Sequence, residues 1–235
     1  MATLYPRQKT HYLNILHAGW PGGLIVGGII ATIYTNLKAS VPDLRWEYPM
    51  AVFLVPTLIY GFIVIKQQFP MSEAKSAGVS FGQMLMTFAS PLLIFLLVLH
   101  ACVGYVELGT DSWISSITDG IVEGQGLYLF IWASLIMFVL RFFAGPIVEK
   151  INPLGLLCMS ACFGALGLYL IGSSQGVLWV WVAVTVYGLG KTFLWPTMLG
   201  VVGERFPKGG AITMGAMGGI GMLSAGLLGG PGIGY

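Results

Sequence analysis

The chain has 235 residues, of which 56% are hydrophobic and only 9% charged, and its formal net charge is +2. Soluble domains average about 25% charged residues, so this composition excludes an ordinary water-soluble domain, and the small net charge gives no support to a nucleic-acid partner. Long uncharged stretches separate the few charges, and they repeatedly supply the ~20 residues that a helix needs to cross a bilayer. These stretches are 10–37, 48–65, 76–106, 124–140, 151–190 and 209–235.

Seven membrane-spanning helices are predicted, because lipid admits only helices and closed barrels. The uncharged run 151–190 is too long for one helix, and the Gly and Ser residues of 172–176 divide it. The predicted spans are 13–36, 47–65, 84–109, 125–144, 154–172, 177–203 and 210–230. The expected fold is therefore an all-α membrane protein. Its external segment 111–126 is either a continuation of the third helix or a short helix at the interface.

The distribution of Lys and Arg predicts the orientation. With a cytoplasmic N-terminus, only Lys38 and Arg45 lie in external segments. The basic residues of the internal segments are then Arg7, Lys9, Lys66, Lys75, Arg141, Lys150, Arg205 and Lys208. Because basic residues concentrate on the inside, we expect the N-terminus in the cytoplasm. The polar stretch 66–83 is then a cytoplasmic linker between helical groups at 1–65 and 84–235.

Two carboxylates of the third span are candidates for a substrate or proton pathway. Glu107 and Asp111 are four residues apart and share one face of a helix. Ionisable groups inside a membrane helix usually mark a functional site. Both are expected near the external end, so the alternative is that they are solvated loop residues.

Lys191 is the third ionisable candidate, because it lies near the middle of the sixth span, where an ammonium group costs about 2.5–3.5 kcal/mol to insert. We expect it to face a water-filled cavity or a carboxylate, with Glu107 as one candidate partner and an acid outside this chain as another. Three aromatic residues, Trp113, Tyr187 and Trp195, are candidate platforms for a sugar ring or, alternatively, packing residues. Pro196 is expected to kink the helix near Lys191.

The remaining reactive side chains do not form a recognisable cofactor or metal site. His17 and His100 are single histidines in apolar runs and are expected to be hydrogen-bonded packing residues, with a proton relay as the alternative. The three cysteines, Cys102, Cys158 and Cys162, are interpreted as small core residues. No cofactor and no metal are therefore predicted.

A short motif follows the fourth span. Gly145-x-x-x-Glu149-Lys150 resembles the loop motif Gly-x-Leu-Ala-Asp-Arg-x-Gly-Arg-Arg of the major facilitator superfamily, in the copy between helices eight and nine, and Arg141 matches the basic residue that often precedes it. The chain departs from the motif at Asn152, where a second Gly is usual, and at Leu154 instead of a basic residue. The resemblance implies a loop that holds conformational states at the cytoplasmic surface.

Other stretches resemble the same family, in particular its sugar permeases of the fucose-permease type. Residues 13–23 resemble the start of the family's helix five, 104–113 the end of helix seven, and 188–197 helix ten. Helix eleven is resembled by three short stretches, 204–210, 218–221 and 229–231. On this resemblance the spans are helices five to eleven, and the chain is a fragment without helices one to four and twelve. A missing N-terminal half is then an expected partner.

The resemblance implies transport by alternating access between two helical halves in the inner membrane of a bacterium. The expected substrate is a small polar solute, with a sugar as the first choice and H+ as the candidate coupling ion. An exporter of drugs or metabolites is the nearest alternative. An intramembrane enzyme using His17, His100, Asp111 or Glu107 is another, and a non-transporting membrane subunit is the third.

Overall fold

The computed structural model describes residues 3–234, which form helices joined by short turns, with no strand among them. The apolar helices are α1 (Lys9–Ser40), α2 (Glu47–Val64), α3 (Pro91–Ile121), α4 (Gly126–Arg141), α5 (Ala144–Ser173), α6 (Val177–Arg205) and α7 (Pro207–Gly234). Six of them are long and apolar enough to cross a membrane, while α4 has 16 residues. The predicted all-helical membrane bundle is confirmed.

The first two apolar helices differ in how much of their surface is covered. α1 packs on α4, α5 and α6. A turn at Ala18 divides it into the helical segments Lys9–His17 and Gly19–Ser40. In contrast, α2 has no buried residue, and its large apolar side chains are exposed. Such a surface requires lipid or another apolar partner rather than water.

Short helices fill the polar stretch after α2. Glu73–Ser76 begins at Ser72, whose hydroxyl accepts a hydrogen bond from the backbone N–H of Lys75. Phe81–Met86 begins with a capping box, in which the side chains of Ser80 and Gln83 each bond the other's backbone N–H. Glu73 also forms an ion pair of 2.8 Å with Lys9, so this stretch is tied to the beginning of α1.

The third span begins later and ends later than predicted. Pro91 opens α3 because the residue before a proline avoids the helical conformation, and Ser90 is extended at φ −74° and ψ 119°. The helix then continues through Ile121, so the external segment is a continuation of it. Glu107 consequently lies close to the midpoint of a 31-residue helix, and not near its external end as predicted.

A turn at Asn152 divides α5 into two helical segments. Asn152 has φ 56° and ψ 168°, and its Oδ1 accepts a hydrogen bond of 3.0 Å from the backbone N–H of Gly155. Asn at the cap followed by Pro153 at the first helical position is a favoured helix start. Residues 153–173 therefore correspond to the predicted fifth span, and 144–151 form a separate helical segment between it and α4.

The last two helices, α6 and α7, are interrupted at different places. In α6, Val177–Lys191 is followed by Leu194–Arg205, which confirms the kink predicted beside Lys191. Both α3 and α7 contain a π-helical turn, at Tyr105–Gly109 and Ser224–Gly229, and these two turns pack together. The backbones approach so closely there that a Cβ atom on Gly109 would lie 3.0 Å from the Cα of an α7 glycine.

The interior of the bundle contains apolar clusters built mainly by α3, α6 and α7 on one side and by α4, α5 and α6 on the other. The cysteines do not belong to them. Cys102, Cys158 and Cys162 are all exposed on the apolar surface, so their interpretation as core residues was wrong. In a membrane helix, the residues that face the bundle and the residues that face lipid can both be apolar. The spacing of apolar residues therefore does not show which face is buried.

Candidate functional site

Four charged side chains meet inside the bundle, and they form two ion pairs. Arg141 Nη2 lies 2.7 Å from Glu107 Oε1, and the two side chains are 1% and 2% exposed. Lys191 Nζ contacts Asp111 Oδ1, and these side chains are 0% and 7% exposed. Both carboxylates come from α3, whereas the cations come from α4 and α6. The cluster has two negative and two positive charges, so burying it leaves no net charge in the apolar interior.

Arg141 makes contacts to three other helices. Besides Glu107 on α3, its Nε donates a hydrogen bond of 2.8 Å to the backbone carbonyl of Thr192 on α6. Its Nη1 donates one of 2.6 Å to the carbonyl of His17 on α1. The residue was predicted to precede a cytoplasmic loop, but its burial removes it from the surface. Guanidinium groups suit such buried, multiply bonded positions because their donors are arranged in a rigid fork.

Both oxygens of Glu107 are occupied. Oε1 accepts from Arg141, and Oε2 accepts a hydrogen bond of 3.0 Å from the backbone N–H of Trp195. That N–H lies in the first turn of Leu194–Arg205, where backbone donors have no partner within the helix. The break in α6 therefore supplies the second donor to the buried carboxylate.

Lys191 pairs with Asp111, and the candidate partner Glu107 proved wrong because Arg141 already occupies that carboxylate. The ammonium also lies 5.2 Å from the centroid of the Tyr187 ring, a favourable cation–π distance. The Tyr187 hydroxyl donates a hydrogen bond of 2.8 Å to the carbonyl of Val106. Within residues 3–234, Asp111 Oδ2 is buried without a hydrogen-bond partner.

A small cavity of about 120 Å³ opens beside the Glu107–Arg141 pair. Its walls come from α1, α3, α4, α6 and α7, and its lining residues are His17, Trp20, Glu107, Leu108, Arg141, Trp195 and Met222. Since a water molecule takes about 30 Å³ in the liquid, this volume corresponds to about four waters. The cavity is bordered by the carboxylate of Glu107 and the guanidinium of Arg141, but its surface is almost entirely apolar because the polar atoms of both groups are engaged in hydrogen bonds within the protein.

The predicted aromatic platforms have different positions. Trp195 lines the cavity. Tyr187 is fully buried and packs against Lys191, and Trp113 is half-buried beside Gly234 near the end of α7. His17 and Trp20 of α1 also line the cavity; His17 was considered only for the alternative of an intramembrane enzyme, and Trp20 was not named as a site residue.

His100 is also fully buried, and its ring packs on the ring of Trp195 with centroids 4.5 Å apart. Neither ring nitrogen has a hydrogen-bond partner among the residues that the structure describes. The same part of the chain contains no group of three or more His, Cys, Asp or Glu side chains that is arranged to hold a metal ion.

The predicted loop motif lies where α4 and α5 meet. The backbone N–H of Gly145 donates a hydrogen bond of 3.0 Å to His11 Nδ1 on α1, and a Cβ atom at this position would meet the His11 ring. Glu149 and Lys150 are exposed. At the position where a second Gly is usual, Asn152 adopts a positive φ of 56°. With ψ at 168°, this is a backbone conformation that is found almost only for Gly, so Asn152 is strained there, and the position keeps the geometry for which the motif uses Gly.

Comparison with known proteins agrees with the helical architecture. A sequence model of the Major Facilitator Superfamily matches residues 1–230. No curated protein and no solved structure matches the chain. Because the family match spans nearly the whole sequence, it identifies the chain as an integral membrane protein of a transporter family rather than an enzyme. The chain belongs to the Major Facilitator Superfamily.

Proposed function

We propose that the chain takes part in moving a small polar solute, with a sugar as the first candidate, by alternating access, with the cavity beside Glu107 and Arg141 as its binding site. The observation that supports this most is a buried carboxylate and a buried guanidinium lining one cavity in the middle of the bundle. Charged groups inside a membrane protein usually face a pathway for a solute or an ion. The proposed orientation has the N-terminus in the cytoplasm of a bacterial cell.

The cavity is smaller than a drug-sized pocket, and a sugar ring enters it only if the neighbouring side chains move apart. Drug-sized ligands occupy pockets of roughly 300–1,000 Å³, whereas this cavity measures about 120 Å³. A hydroxyl of a solute can bond to Glu107 or Arg141 only by replacing one of their present hydrogen bonds, and the ring of Trp195 offers a flat apolar wall. A sugar has both surfaces, since its hydroxyls surround an apolar ring face.

Asp111 is the better candidate of the two carboxylates for carrying a proton. Both oxygens of Glu107 accept hydrogen bonds. Asp111 has only Lys191 as a partner, and its Oδ2 is buried without one among the described residues. A proton added there has an unoccupied oxygen to bind. A symporter needs such a group to take up and release a proton during each cycle.

Binding to the purified chain in lipid nanodiscs provides the first test, because binding requires only the site. Radiolabelled hexoses and pentoses are compared with a cationic dye as a representative drug. Glu107→Gln is expected to reduce sugar binding about tenfold or more, because a hydrogen bond to a charged group contributes about 1.5–3 kcal/mol. Glu47→Gln is the matched control, since Glu47 forms an exposed pair with Arg45.

Counterflow of the bound sugar in proteoliposomes that also contain the proposed N-terminal half, with and without an inward proton gradient, then tests transport. We expect Asp111→Asn to lose the stimulation by the gradient while sugar binding persists. Dye binding without sugar binding would support the exporter instead. If Glu107→Gln and Glu47→Gln bind sugar as the unchanged chain does, the cavity is not the site.

A further inference from the structure

Two prolines each deprive a backbone carbonyl of its helical partner. In an α-helix the carbonyl of residue i accepts a hydrogen bond from the N–H of residue i+4, and proline has no N–H. Pro21 therefore leaves the carbonyl of His17 without its usual donor, and Pro196 does the same to Thr192. Each unsatisfied group would be costly inside a membrane, where water is scarce.

The same arginine donates to both carbonyls. Arg141 Nη1 lies 2.6 Å from the oxygen of His17, and Nε lies 2.8 Å from that of Thr192. The third contact, from Nη2 to Glu107, is 2.7 Å long. One guanidinium thus links a break in α1, a break in α6 and a carboxylate of α3.

We infer that Arg141 is a positioning residue that clamps the two proline breaks and thereby fixes Glu107 at the cavity. Its donors replace the two N–H groups that the prolines lack, so the breaks are stable only while the arginine is present. Lysine keeps the charge but has one nitrogen, which cannot reach three acceptors on three helices in this arrangement. The effect on solute binding rests on the proposed function, whereas the clamp itself does not.

Thermal unfolding of the purified full chain tests the clamp by combining substitutions. Arg141→Lys is expected to lower the Tm by roughly 10 °C, because two carbonyls lose a charged donor. Adding Pro21→Ala or Pro196→Ala returns an N–H to one carbonyl, and each should recover about 2–4 °C of that loss. Pro56→Ala is the matched control, since Pro56 lies in the exposed helix α2, outside the contacts of Arg141.

The clamp is overturned if Arg141→Lys leaves the Tm unchanged, or if Pro56→Ala recovers as much stability as Pro21→Ala and Pro196→Ala. Should Arg141→Lys yield no folded protein, the amount of monodisperse protein in size-exclusion chromatography becomes the readout. Recovery by Pro21→Ala or Pro196→Ala, but not by Pro56→Ala, supports the clamp, and no recovery by either contradicts it.

A second measurement separates positioning from stability alone. A buried carboxylate without a cation takes up a proton, and protonated carboxyls react with dicyclohexylcarbodiimide. Arg141→Met should therefore increase carbodiimide labelling of Glu107, followed by mass spectrometry, while Arg141→Lys with Pro196→Ala retains the low labelling of the unchanged chain. Equal labelling in all three proteins would show that the arginine does not hold Glu107. Sugar binding is measured separately, so its absence would affect the proposed function and leave this result standing.

Discussion

Replacement of Lys191 by methionine gives the sharpest test of the buried charge cluster. The side chain of Lys191 is fully buried and contacts Asp111, whose other oxygen has no partner among the described residues. Lys191→Met has nearly the same shape but leaves the carboxylate without its cation. Breaking a buried ion pair in this way costs about 3–5 kcal/mol, which corresponds to a fall in Tm of roughly 6–20 °C for a chain of this size.

The double variant Lys191→Met with Asp111→Leu removes both members of the ion pair and so leaves no unpaired charge. Because replacing both members of a buried pair by apolar residues is often neutral, we expect most of the lost Tm to return. Tryptophan fluorescence during heating of the detergent-purified protein measures both shifts. Lys38→Met is the control, since Lys38 is exposed. The reasoning is refuted if Lys191→Met unfolds at the same temperature as the unchanged chain, or if the double variant is no more stable than the single one.

Three further predictions concern packing and turns. Gly104→Ala should lower the Tm because its Cβ would strike the backbone of α7, whereas Gly120→Ala on the same helix has open space and should not. Asn152→Val should destabilise because a β-branched residue resists φ 56°, while Asn152→Gly should be tolerated; equal Tm values would contradict this. Glu73→Gln should increase proteolysis of the linker after α2 by releasing its contact with Lys9, and unchanged cleavage would argue that the ion pair contributes nothing.

Much of the fold could be predicted because membrane helices can be recognised in a sequence by their length and hydropathy. The positions of the seven apolar helices follow from the uncharged stretches, and Pro196 marks the break in α6. The start of α3 was misplaced because the uncharged run continues through Pro91 without a change in composition. Hydropathy records where a chain is apolar, whereas a proline decides where a helix begins.

The pairing of the charges could not be predicted from spacing. Glu107 and Asp111 are four residues apart, but a π-helical turn at Tyr105–Gly109 widens the helix between them, and they bind different cations. A π turn leaves no reliable signal in the sequence. Arg141 was not predicted as the partner of Glu107, because it ends an apolar helix, where a basic residue usually lies at the cytoplasmic surface.

The burial of Arg141 lowers the number of basic residues that support the predicted orientation but does not reverse the prediction. Eight basic residues were assigned to the inside and two to the outside. Arg141 is buried in an ion pair, and Lys9 is buried against Glu73, so neither offers a free charge to the membrane surface. Removing both leaves six against two, and the excess still favours a cytoplasmic N-terminus.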